Sequence, residues 1–391
     1  MKPFDEAHKI MMDSARVLDS ERVGFDNILN RILAVDIVSD IAMPPFDKSA
    51  RDGYACRRQD LDNELEIIEM IPAGYVPQKS IGNNQCAKIM TGAIVPGGAD
   101  CVVMVEFSEN PTDNTVRVKN KDEDNHIYFK GEDIKTGDVV ISKGTQICPQ
   151  HIAILAAVGC TNPLVAIRPK IGIIATGNEI IEPDMKPNLS QIRNSNSYQL
   201  QAQLNSMGVM SKYYGIAKDT EQVLDNIFKK AVSENDVVLI SGGVSMGDFD
   251  IVPEIVEKNG IEILFHKVAI KPGKPTLFAT SGNKLVFGMP GNPVSTFVIF
   301  ELFVKKFLFA MMGHDYKHNK IKLPLLKSVS RQKSKRLEWI PAKISGNGVI
   351  PIEYHGSGHI TALSDADGFF SIQVGVSEMK IGTIVNVMQI R

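Results

Sequence analysis

A series of apolar runs, most of which end in glycine, constrains the fold of this 391-residue chain more than any other feature. The runs KIGIIATG, DVVLISGG, ILFHKVAI and KLVFGMPG are rich in Val, Ile and Leu. Such runs are typical of parallel strands that are buried on both faces. Helical patterns such as DTEQVLDNIFKKAVSEN lie between them. This alternation predicts a doubly wound α/β domain, which we place at residues 169–315.

The rest of the chain shows three other sequence patterns. Residues 4–34 show helical apolar periodicity, and we group residues 1–44 with 141–168 as an elongated, discontinuous N-terminal domain. Short strand-like runs between PAG, PGG and GED turns predict an inserted β domain at 45–140. Short strands with frequent Gly and Pro predict a C-terminal β domain at 316–391. The fold class is therefore multidomain, with α/β and β domains.

Charge and cysteine content limit the classes of function. The 43 Lys and Arg residues nearly balance the 45 Asp and Glu residues, and the net charge is −2. The chain as a whole therefore has no field to hold it on nucleic acid or an anionic membrane, and any anion site must be local. The five cysteines contain no CxxC pair, which favours a reducing cytoplasm. Glu301, Lys305 and Lys306 interrupt the apolar run 293–313, which predicts a core helix rather than a membrane span.

Four loops containing Gly or Pro stand out in the α/β domain. They are ATGNE (175–179), SGGVSMGDFD (241–250), KPGKPT (271–276) and PGNPVS (290–295). Ligands of parallel sheets bind at the carboxyl ends of the strands, where loop amides and helix N-termini meet. We therefore expect an anionic, nucleotide-like ligand among these loops.

The first two loops offer hydroxyls, amides and carboxylates. Glu179 could bind ribose hydroxyls or Mg²⁺, or remain solvated. Ser241, Ser245 and three glycines could approach a phosphate. The glycines have Walker A spacing, but an Asp-Phe pair stands where Lys-Ser/Thr is needed, which disfavours a P-loop ATPase. Asp248 and Asp250 would repel a bare phosphate unless Mg²⁺ bridges them, and a tight turn with solvated aspartates is the alternative.

The other two loops offer positive charge. Lys271 and Lys274 lie on a segment that prolines stiffen, so they could converge on a multiply charged anion or remain solvated. Asn292 can cap a helix that begins at Pro293, with Ser295 in its first turn. The free amides there suit an oxyanion, although a purely structural cap is equally consistent with the pattern.

Several other patterns favour structural interpretations. Asp219 and Gln222 have the spacing of a capping box, and Gly208 can close the preceding helix. The segment 317–336 has eight Lys or Arg residues and no acid, and we interpret most of it as a solvated linker. The eight histidines include no HExxH motif, so no zinc site is predicted. No GxSxG motif or loop cysteine supplies a nucleophile for covalent catalysis.

Eight motifs, taken in order and spacing, point to a known family. They are SARDGYA, IMTGAIVPGGAD, GEDI, ATGNE, IRNSNSYQL, SGGVSMGDFD, KPGKP and MPGNPVS. Together they resemble the molybdopterin molybdenumtransferase family, which includes MoeA and the E domain of gephyrin. The stretch GSGHITALSDADGFFSIQVG is similar to the family's last β domain, so the resemblance covers nearly the whole chain.

The resemblance implies a specific activity and assembly. It implies four domains with a central MogA-like α/β domain, and a homodimer whose active site lies between protomers. It implies insertion of molybdate into adenylylated molybdopterin, with release of AMP and the help of Mg²⁺. The implied partners are the molybdopterin adenylyltransferase and proteins that mature molybdoenzymes, with neither nucleic acid nor a membrane.

The resemblance also implies roles for individual residues. Its catalytic positions fall on Asp52, Thr91, Asp133, Glu179, Asp219 and Asp250. Glu179 and Asp250 are the implied Mg²⁺ ligands. Its substrate-binding positions fall on Gly177, Ser241, Gly242, Gly243, Ser245, Lys271, Lys274, Pro275, Asn292, Ser295, Arg336 and Thr361. Of these, Lys271, Lys274 and Ser295 would face molybdate and Arg336 would help to admit it.

Three positions depart from the family pattern. Arg51 stands where the family usually has Met, residues 128–130 lack the arginines common before GED, and Pro341 replaces a second arginine. These departures bear on contacts of the second and fourth domains. Two alternatives stay open: a scaffold protein with the family fold but no turnover, and a tungstate-selective form of the same transferase. The carboxylates of Asp52, Asp133, Glu179 and Asp250 argue against the scaffold.

Overall fold

The computed structural model describes residues 1–244, 251–354, 356 and 358–390. Its chain divides into two units. The smaller unit consists of Val35–Lys143 and Cys148–Pro163, and the larger of Met1–Ala34, Gly144–Ile147 and the chain from Leu164 onwards. The predicted four-domain division is finer than this one and stays a prediction.

A six-stranded sheet forms the centre of the larger unit in the described part of the chain. Its strands, in spatial order, are Ser211–Ala217, Ile171–Thr176, Val237–Ser241, Lys284–Met289, Leu277–Ser281 and Glu262–Phe265. The first four are parallel. Successive side chains of these strands, such as Ile173 and Ile174, are buried in two different apolar clusters. Both faces are therefore covered, which confirms the doubly wound α/β prediction.

The run ILF was predicted to be a parallel strand, and this prediction was wrong. This run lies in Glu262–Phe265, which is an antiparallel edge strand. Its neighbour Leu277–Ser281 was not predicted as a strand and pairs antiparallel with Lys284–Met289. Only Gly282 and Asn283 separate these two strands, and a two-residue connection permits a hairpin but no crossover.

Helices cover both faces of the sheet. On one face lie Phe4–Asp13, Asn196–Ser206 and a long helix made of Pro293–Ile299, the π-helical turn Phe300–Val304 and Lys305–Met311. On the other face lie Glu221–Glu234 and Val252–Lys258.

The long helix 293–311 is a core helix, as predicted. Glu301, which interrupts its apolar run, is only 4% exposed. Its carboxylate accepts a hydrogen bond from Gln203 and pairs with Lys305, both at 2.9 Å, so the buried charge is compensated. No helix of the described residues is long and apolar enough to cross a membrane.

The helix-end predictions had different outcomes. Gly208, with φ +72°, ends the helix Asn196–Ser206 as predicted. The capping box was wrong, because the next helix begins at Glu221 and Thr220 occupies the N-cap position without a side-chain capping bond. Asp219 is therefore one residue too early to cap this helix.

Within residues 1–44 the α-helix is limited to Phe4–Asp13, and one 3-10 turn follows at Phe25–Asn27. Ile32 and Leu33, which belong to the predicted helical pattern, are buried and form isolated antiparallel bridges with Gln146 and Val165. The apolar spacing here comes from extended chain that is buried on more than one side. The prediction of helix beyond residue 13 was therefore wrong.

The smaller unit is built on a second six-stranded sheet. Its strands, in spatial order, are Cys101–Met104, Gly53–Cys56, Gln85–Ile89, Glu64–Ile71, Thr115–Val118 and Ser108–Thr112. Two further strand pairs are Ile37–Val38 with Val139–Ile141 and Lys48–Ser49 with Ile127–Tyr128. The helix Pro149–Ala157 also belongs to this unit, and Gly159 follows it with φ +70°.

A third sheet carries the C-terminal region of the larger unit. Its strands are Ile270–Lys271, Leu337–Ser345, Gly368–Ile372, Ile384–Gln389 and Lys320–Pro324, with Gly348–Pro351 paired to the second of them. The pair of Ile270–Lys271 with Leu337–Ser345 places Lys271 beside Glu338. The basic segment 317–336 contributes the strands Lys320–Pro324 and Val329–Ser330, so it is not a linker, although most of its Lys and Arg side chains are exposed as predicted.

Shorter elements complete the larger and smaller units. The remaining strand pairs are Ser20–Arg22 with Leu164–Ala166, Ile180–Ile181 with Ile192–Arg193, and Val329–Ser330 with Glu378–Met379. Short 3-10 turns are Phe25–Asn27, Arg58–Asp60, Val105–Phe107 and Ile360–Leu363.

Candidate active site

A cavity of about 1140 Å³ lies at the carboxyl ends of the parallel strands in the larger unit. Its wall includes described residues from each of the four Gly- or Pro-containing loops. The loops around the parallel strands meet because these strands all end at one edge of the sheet. The Lys271 loop joins them from the adjoining C-terminal sheet.

Most of the predicted substrate-binding residues line this cavity. Those of the predicted set on its wall are Gly177, Glu179, Asp219, Ser241, Gly242, Gly243, Lys271, Lys274, Pro275, Asn292, Ser295 and Arg336. Thr361 is exposed and is not part of the wall, although its neighbour Ile360 is. Ser245 and Asp250 lie outside the described residues.

Two carboxylates of the cavity come from Glu179 and Asp219. Asp219 is tied to the first loop, because its Oδ2 accepts a hydrogen bond from Asn178 N at 3.1 Å and its own N–H donates to Asn178 Oδ1 at 3.3 Å. Asp219, which was predicted to cap a helix, thus joins two neighbouring loops instead. A pair of carboxylates suits Mg²⁺, which usually takes one or two of them and completes its shell with water and phosphate.

Glycines allow the first two loops to approach each other closely. Gly242 has φ +98°, and a Cβ atom there would lie 2.5 Å from Thr176 O. Gly177 has φ +142°, and a Cβ atom there would lie 2.8 Å from both carboxylate oxygens of Glu179. Any other residue at position 242 would push the two loops apart, and one at position 177 would displace the Glu179 side chain of its own loop.

Most of the positive charge of the cavity comes from the KPGKPT loop and the C-terminal sheet, and Arg193 adds a fourth cationic side chain. Lys271 Nζ pairs with Glu338 at 2.6 Å, and the buried Glu338 also pairs with Arg331 at 3.3 Å. Lys271 is therefore held in place by an ion pair although its side chain remains partly exposed. Lys274 is exposed on the same wall, and Arg336 donates to Ile270 O at 3.2 Å.

The long helix begins at the cavity as predicted. Asn292 is its N-cap residue by backbone conformation and Pro293 its first residue, although the Asn292 side chain makes no capping bond. Ser295 is 3% exposed and lies on the cavity wall. The first turn of the helix and the positive end of its dipole therefore lie at the cavity.

Sequence reasoning missed several residues of the wall, among them Asn196 and Tyr354. Asn196 begins the helix Asn196–Ser206, lines the cavity and donates to Ser241 Oγ and Gly291 O. Its motif, IRNSNSYQL, carried part of the family resemblance, but an Asn at a helix start has a sufficient structural reason. Tyr354 also lines the cavity, and burial raises its pKa to about 12.

A second cavity of about 880 Å³ adjoins the first and shares Lys271, Lys274, Arg336 and Tyr354 with it. Its other walls come from the basic segment 317–336 and the strands beside it. The site therefore opens toward a region of positive charge, which attracts anions.

The predicted catalytic residues Asp52 and Thr91 contact each other in the smaller unit. Asp52 Oδ1 accepts hydrogen bonds from Thr91 N at 2.6 Å and from Thr91 Oγ1 at 2.7 Å. The backbone bond, followed by the side-chain bond, lowers the pKa of Asp52 below its ordinary value. Asp52 is therefore a stable carboxylate whose position is fixed by Thr91.

Replacing Thr91 by Val is expected to raise the pKa of Asp52 partway toward its ordinary value, because one of two bonds to the charged form is lost. If the Asp52 carboxylate is needed for activity, the acid limb of the pH–rate profile will move to higher pH. An NMR titration of the carboxyl measures the first effect. Thr91→Ser, which keeps the hydroxyl, is the control, and an identical profile for Thr91→Val and Thr91→Ser would contradict the assignment.

Asp133 is the third predicted catalytic residue of the smaller unit. It and two of the departures from the family pattern lie as follows. Asp133 is exposed, and its N–H donates to Met43 O at 3.0 Å. Arg51 is exposed next to Asp52. Pro341 is buried in the strand Leu337–Ser345 and does not line either cavity.

These features define a class of protein: a multidomain α/β protein whose strand-end loops form a cavity lined by two carboxylates and four cationic side chains. Three family models match the chain. They are the MoeA N-terminal region (domain I and II) at residues 2–159, a probable molybdopterin binding domain at 172–310 and the MoeA C-terminal region (domain IV) at 323–390.

Individual relatives agree with these models over nearly the whole chain. The molybdopterin molybdenumtransferases of Staphylococcus epidermidis RP62A and Staphylococcus aureus Mu50 are 37% and 35% identical, over 98% and 99% of this chain and 94% and 95% of theirs. The crystal structure of the molybdopterin biosynthesis MoeA protein from Pyrococcus horikoshii OT3 matches with a TM-score of 0.88 at 33% identity, over 100% of both chains. The chain belongs to the MoeA family, which confirms the family resemblance and the predicted multidomain architecture.

Proposed function

We propose that this protein inserts molybdate into adenylylated molybdopterin and releases AMP. As a member of the MoeA family it is a transferase of molybdenum cofactor biosynthesis. The observation that carries the finer proposal is the composition of the cavity wall, where cations, carboxylates and a helix N-terminus surround one space. This combination suits two anionic ligands, one of which carries a nucleotide.

The cationic side chains bind and orient molybdate in this proposal. Lys271 is held by Glu338, so its ammonium group is positioned before the anion arrives. Lys274 and the first-turn amides near Ser295 supply further donors, and Arg336 lies where the basic second cavity meets the first. Preorganised donors of this kind need little rearrangement when a doubly charged oxyanion binds.

The carboxylates suit a magnesium ion. Glu179 and Asp219 offer hard oxygen ligands on one wall, and a cation bound by two carboxylates keeps positions for phosphate oxygens. Asp250 is proposed as a further ligand on the family resemblance alone. When bound, Mg²⁺ would neutralise charge on the phosphates during release of AMP. The protein's own residues hold the phosphates near the ion and keep the leaving nucleotide in place.

We also propose a homodimer. Val38 and Val139 are directly paired on neighbouring strands of the smaller unit, and both are more than half exposed. Ile41, Tyr128 and Phe129 add further exposed apolar surface to this unit. Exposed apolar residues that adjoin one another, as Val38 and Val139 do, support a protein interface. The molybdopterin adenylyltransferase and molybdoenzyme-maturation proteins are proposed as partners in the cytoplasm, where free thiols such as the five cysteines persist.

The test is a turnover assay with purified protein and adenylylated molybdopterin. We expect AMP release that requires both molybdate and Mg²⁺. Nucleotide binding without molybdate-dependent AMP release would favour the scaffold alternative. The same assay with molybdate and tungstate in competition at limiting concentration measures selectivity between the two oxyanions.

A further inference from the structure

We infer that Asn196 is a positioning residue that turns Ser241 into a hydrogen-bond donor for a tetrahedral oxyanion of the ligand. The inference rests on the proposed function, since it concerns the same cavity. Asn196 is 9% exposed and Ser241 is 4% exposed, and both line the cavity. Neither the family models nor the relatives' names assign a role to Asn196.

The hydrogen bonds fix the orientation of the Asn196 amide. Its Nδ2 donates to Ser241 Oγ at 2.8 Å and to Gly291 O at 2.7 Å, so both amide hydrogens are used. The carbonyl oxygen of Gly291 can only accept, which requires the nitrogen rather than Oδ1 to face it. Rotating the amide by half a turn would place two oxygens against each other. Oδ1 has no hydrogen-bond partner in the described structure that could favour that rotation.

This orientation determines what Ser241 can do. Because its oxygen accepts a hydrogen bond from Asn196, the hydroxyl hydrogen must point elsewhere. Ser241 ends the strand Val237–Ser241 at the cavity. Among the described residues, its hydroxyl accepts the bond from Asn196 and donates none. A ligand oxygen is the group that can receive it. A phosphate or molybdate oxygen is the acceptor that suits a cavity lined with cations.

Asn196 also joins two loops that both line the cavity. Ser241 and Met289 are directly paired at the ends of adjacent parallel strands, and Gly242 N donates to Met289 O at 3.2 Å. A Cβ atom on Gly291 would lie only 3.8 Å from Gly242 Cα, so the loops run side by side just beyond the sheet. By bonding to both, Asn196 holds the glycine loop in register with the helix N-terminus.

The chain offers a matched control for this role. Asn235 is 5% exposed, and its Nδ2 also donates twice, to Tyr214 OH at 2.7 Å and to Ala231 O at 2.8 Å. It precedes the strand Val237–Ser241, whereas Ser241 ends it, so Asn235 lies at the opposite edge of the same sheet. The two asparagines thus make the same kinds of bonds, and only one of them makes them at the cavity.

The experiment compares Asn196→Ala, Ser241→Ala, the double variant and Asn235→Ala. Dissociation constants for AMP and for molybdate are measured by calorimetry, and the Tm of each free variant is measured alongside. We expect Asn196→Ala and Ser241→Ala each to weaken the same probe about tenfold. The double variant should be no more than about threefold weaker than the worse single one, because both changes remove one donor. Asn235→Ala should lower Tm like Asn196→Ala and leave both constants within about twofold.

The outcomes separate the possible ligands and the possible errors. Loss confined to AMP identifies a phosphate as the acceptor, and loss confined to molybdate identifies the metal oxyanion. Either result supports the inference, and so does loss of both. Additive effects, or an Asn196→Ala variant that loses Tm but binds both probes normally, would overturn it. If Asn196→Ala fails to fold, the uncharged and nearly isosteric Asn196→Leu takes its place in the same cycle, since it also removes both donors.

Failure of the proposed function has a different signature. A wild-type protein without molybdate-dependent AMP release, but with the expected coupling between Asn196 and Ser241 in probe binding, would overturn the proposed reaction and leave this inference intact. Normal turnover without that coupling would overturn only the inference.

Discussion

Replacing Lys271 and Lys274 together by Ala is expected to weaken molybdate binding about 100-fold or more and to change AMP binding much less. Each lysine can donate a charge-assisted hydrogen bond to a doubly charged anion, and a bond of this kind contributes about 1.5–3 kcal/mol. The lower end applies here, because the side chain of Lys271 is 44% exposed and Lys274 is exposed as well. Calorimetric titration with molybdate and with AMP measures both effects.

The control for this prediction removes the same charge elsewhere. Lys320 and Lys322 are exposed on the strand Lys320–Pro324 and line neither cavity. Their double Ala variant should bind molybdate within about threefold of the wild type, since only the long-range field changes. Equal losses in the two double variants would mean that net charge, rather than contact with these two lysines, accounts for molybdate affinity.

The two single variants should differ in stability. Removing the Lys271 side chain deletes one partner of the buried Glu338, which keeps its ion pair with Arg331. Lys274 has an exposed side chain on the cavity wall. We therefore expect Lys271→Ala to lower Tm more than Lys274→Ala does, while both weaken molybdate binding. A combined measurement of Tm and affinity separates the structural part of the Lys271 effect from its contact with the anion.

The parts of the fold that were predictable from sequence are those that depend on local patterns. Runs such as the one at Ile171–Thr176 are apolar on both faces, and only a strand between two layers buries both. Once the strands are parallel, their following loops must meet at one edge, so the cavity could be predicted before its geometry was known. The start of the long helix at Asn292 and Pro293 was likewise predictable from a local sequence pattern.

The parts that were not predictable depend on contacts between distant residues. The ion pair of Lys271 with Glu338 joins residues that are far apart in the chain and arises only from the pairing of two strands. Asp219 had the spacing of a helix cap, but its bond to Asn178 in another loop decided its role. Asn196 gave no signal, because its two acceptors, Ser241 and Gly291, lie in loops that only the fold brings together.

Mixed dimers of two inactive variants are expected to recover about half of the wild-type activity, if each active site combines residues from two protomers as the family resemblance implies. The variants are Asp52→Ala and Glu179→Ala, which alter one residue of the smaller unit and one of the larger. Each variant alone should lose about 100-fold or more, because each removes a carboxylate proposed to act in catalysis. In the mixed dimer, one of two shared sites would contain both native carboxylates.

The experiment uses differently tagged chains, two-step purification of the mixed dimer and molybdate-dependent AMP release. Its sharpest control places both substitutions in one chain and pairs that chain with the wild type. Shared sites would then each carry one defect, and activity should fall to the level of the single variants. Sites contained within one chain would give the opposite pair of results: no recovery in the first dimer, and about half of the wild-type activity in the second. The two dimers have the same composition, so the arrangement of the residues between protomers is the only difference that can separate them.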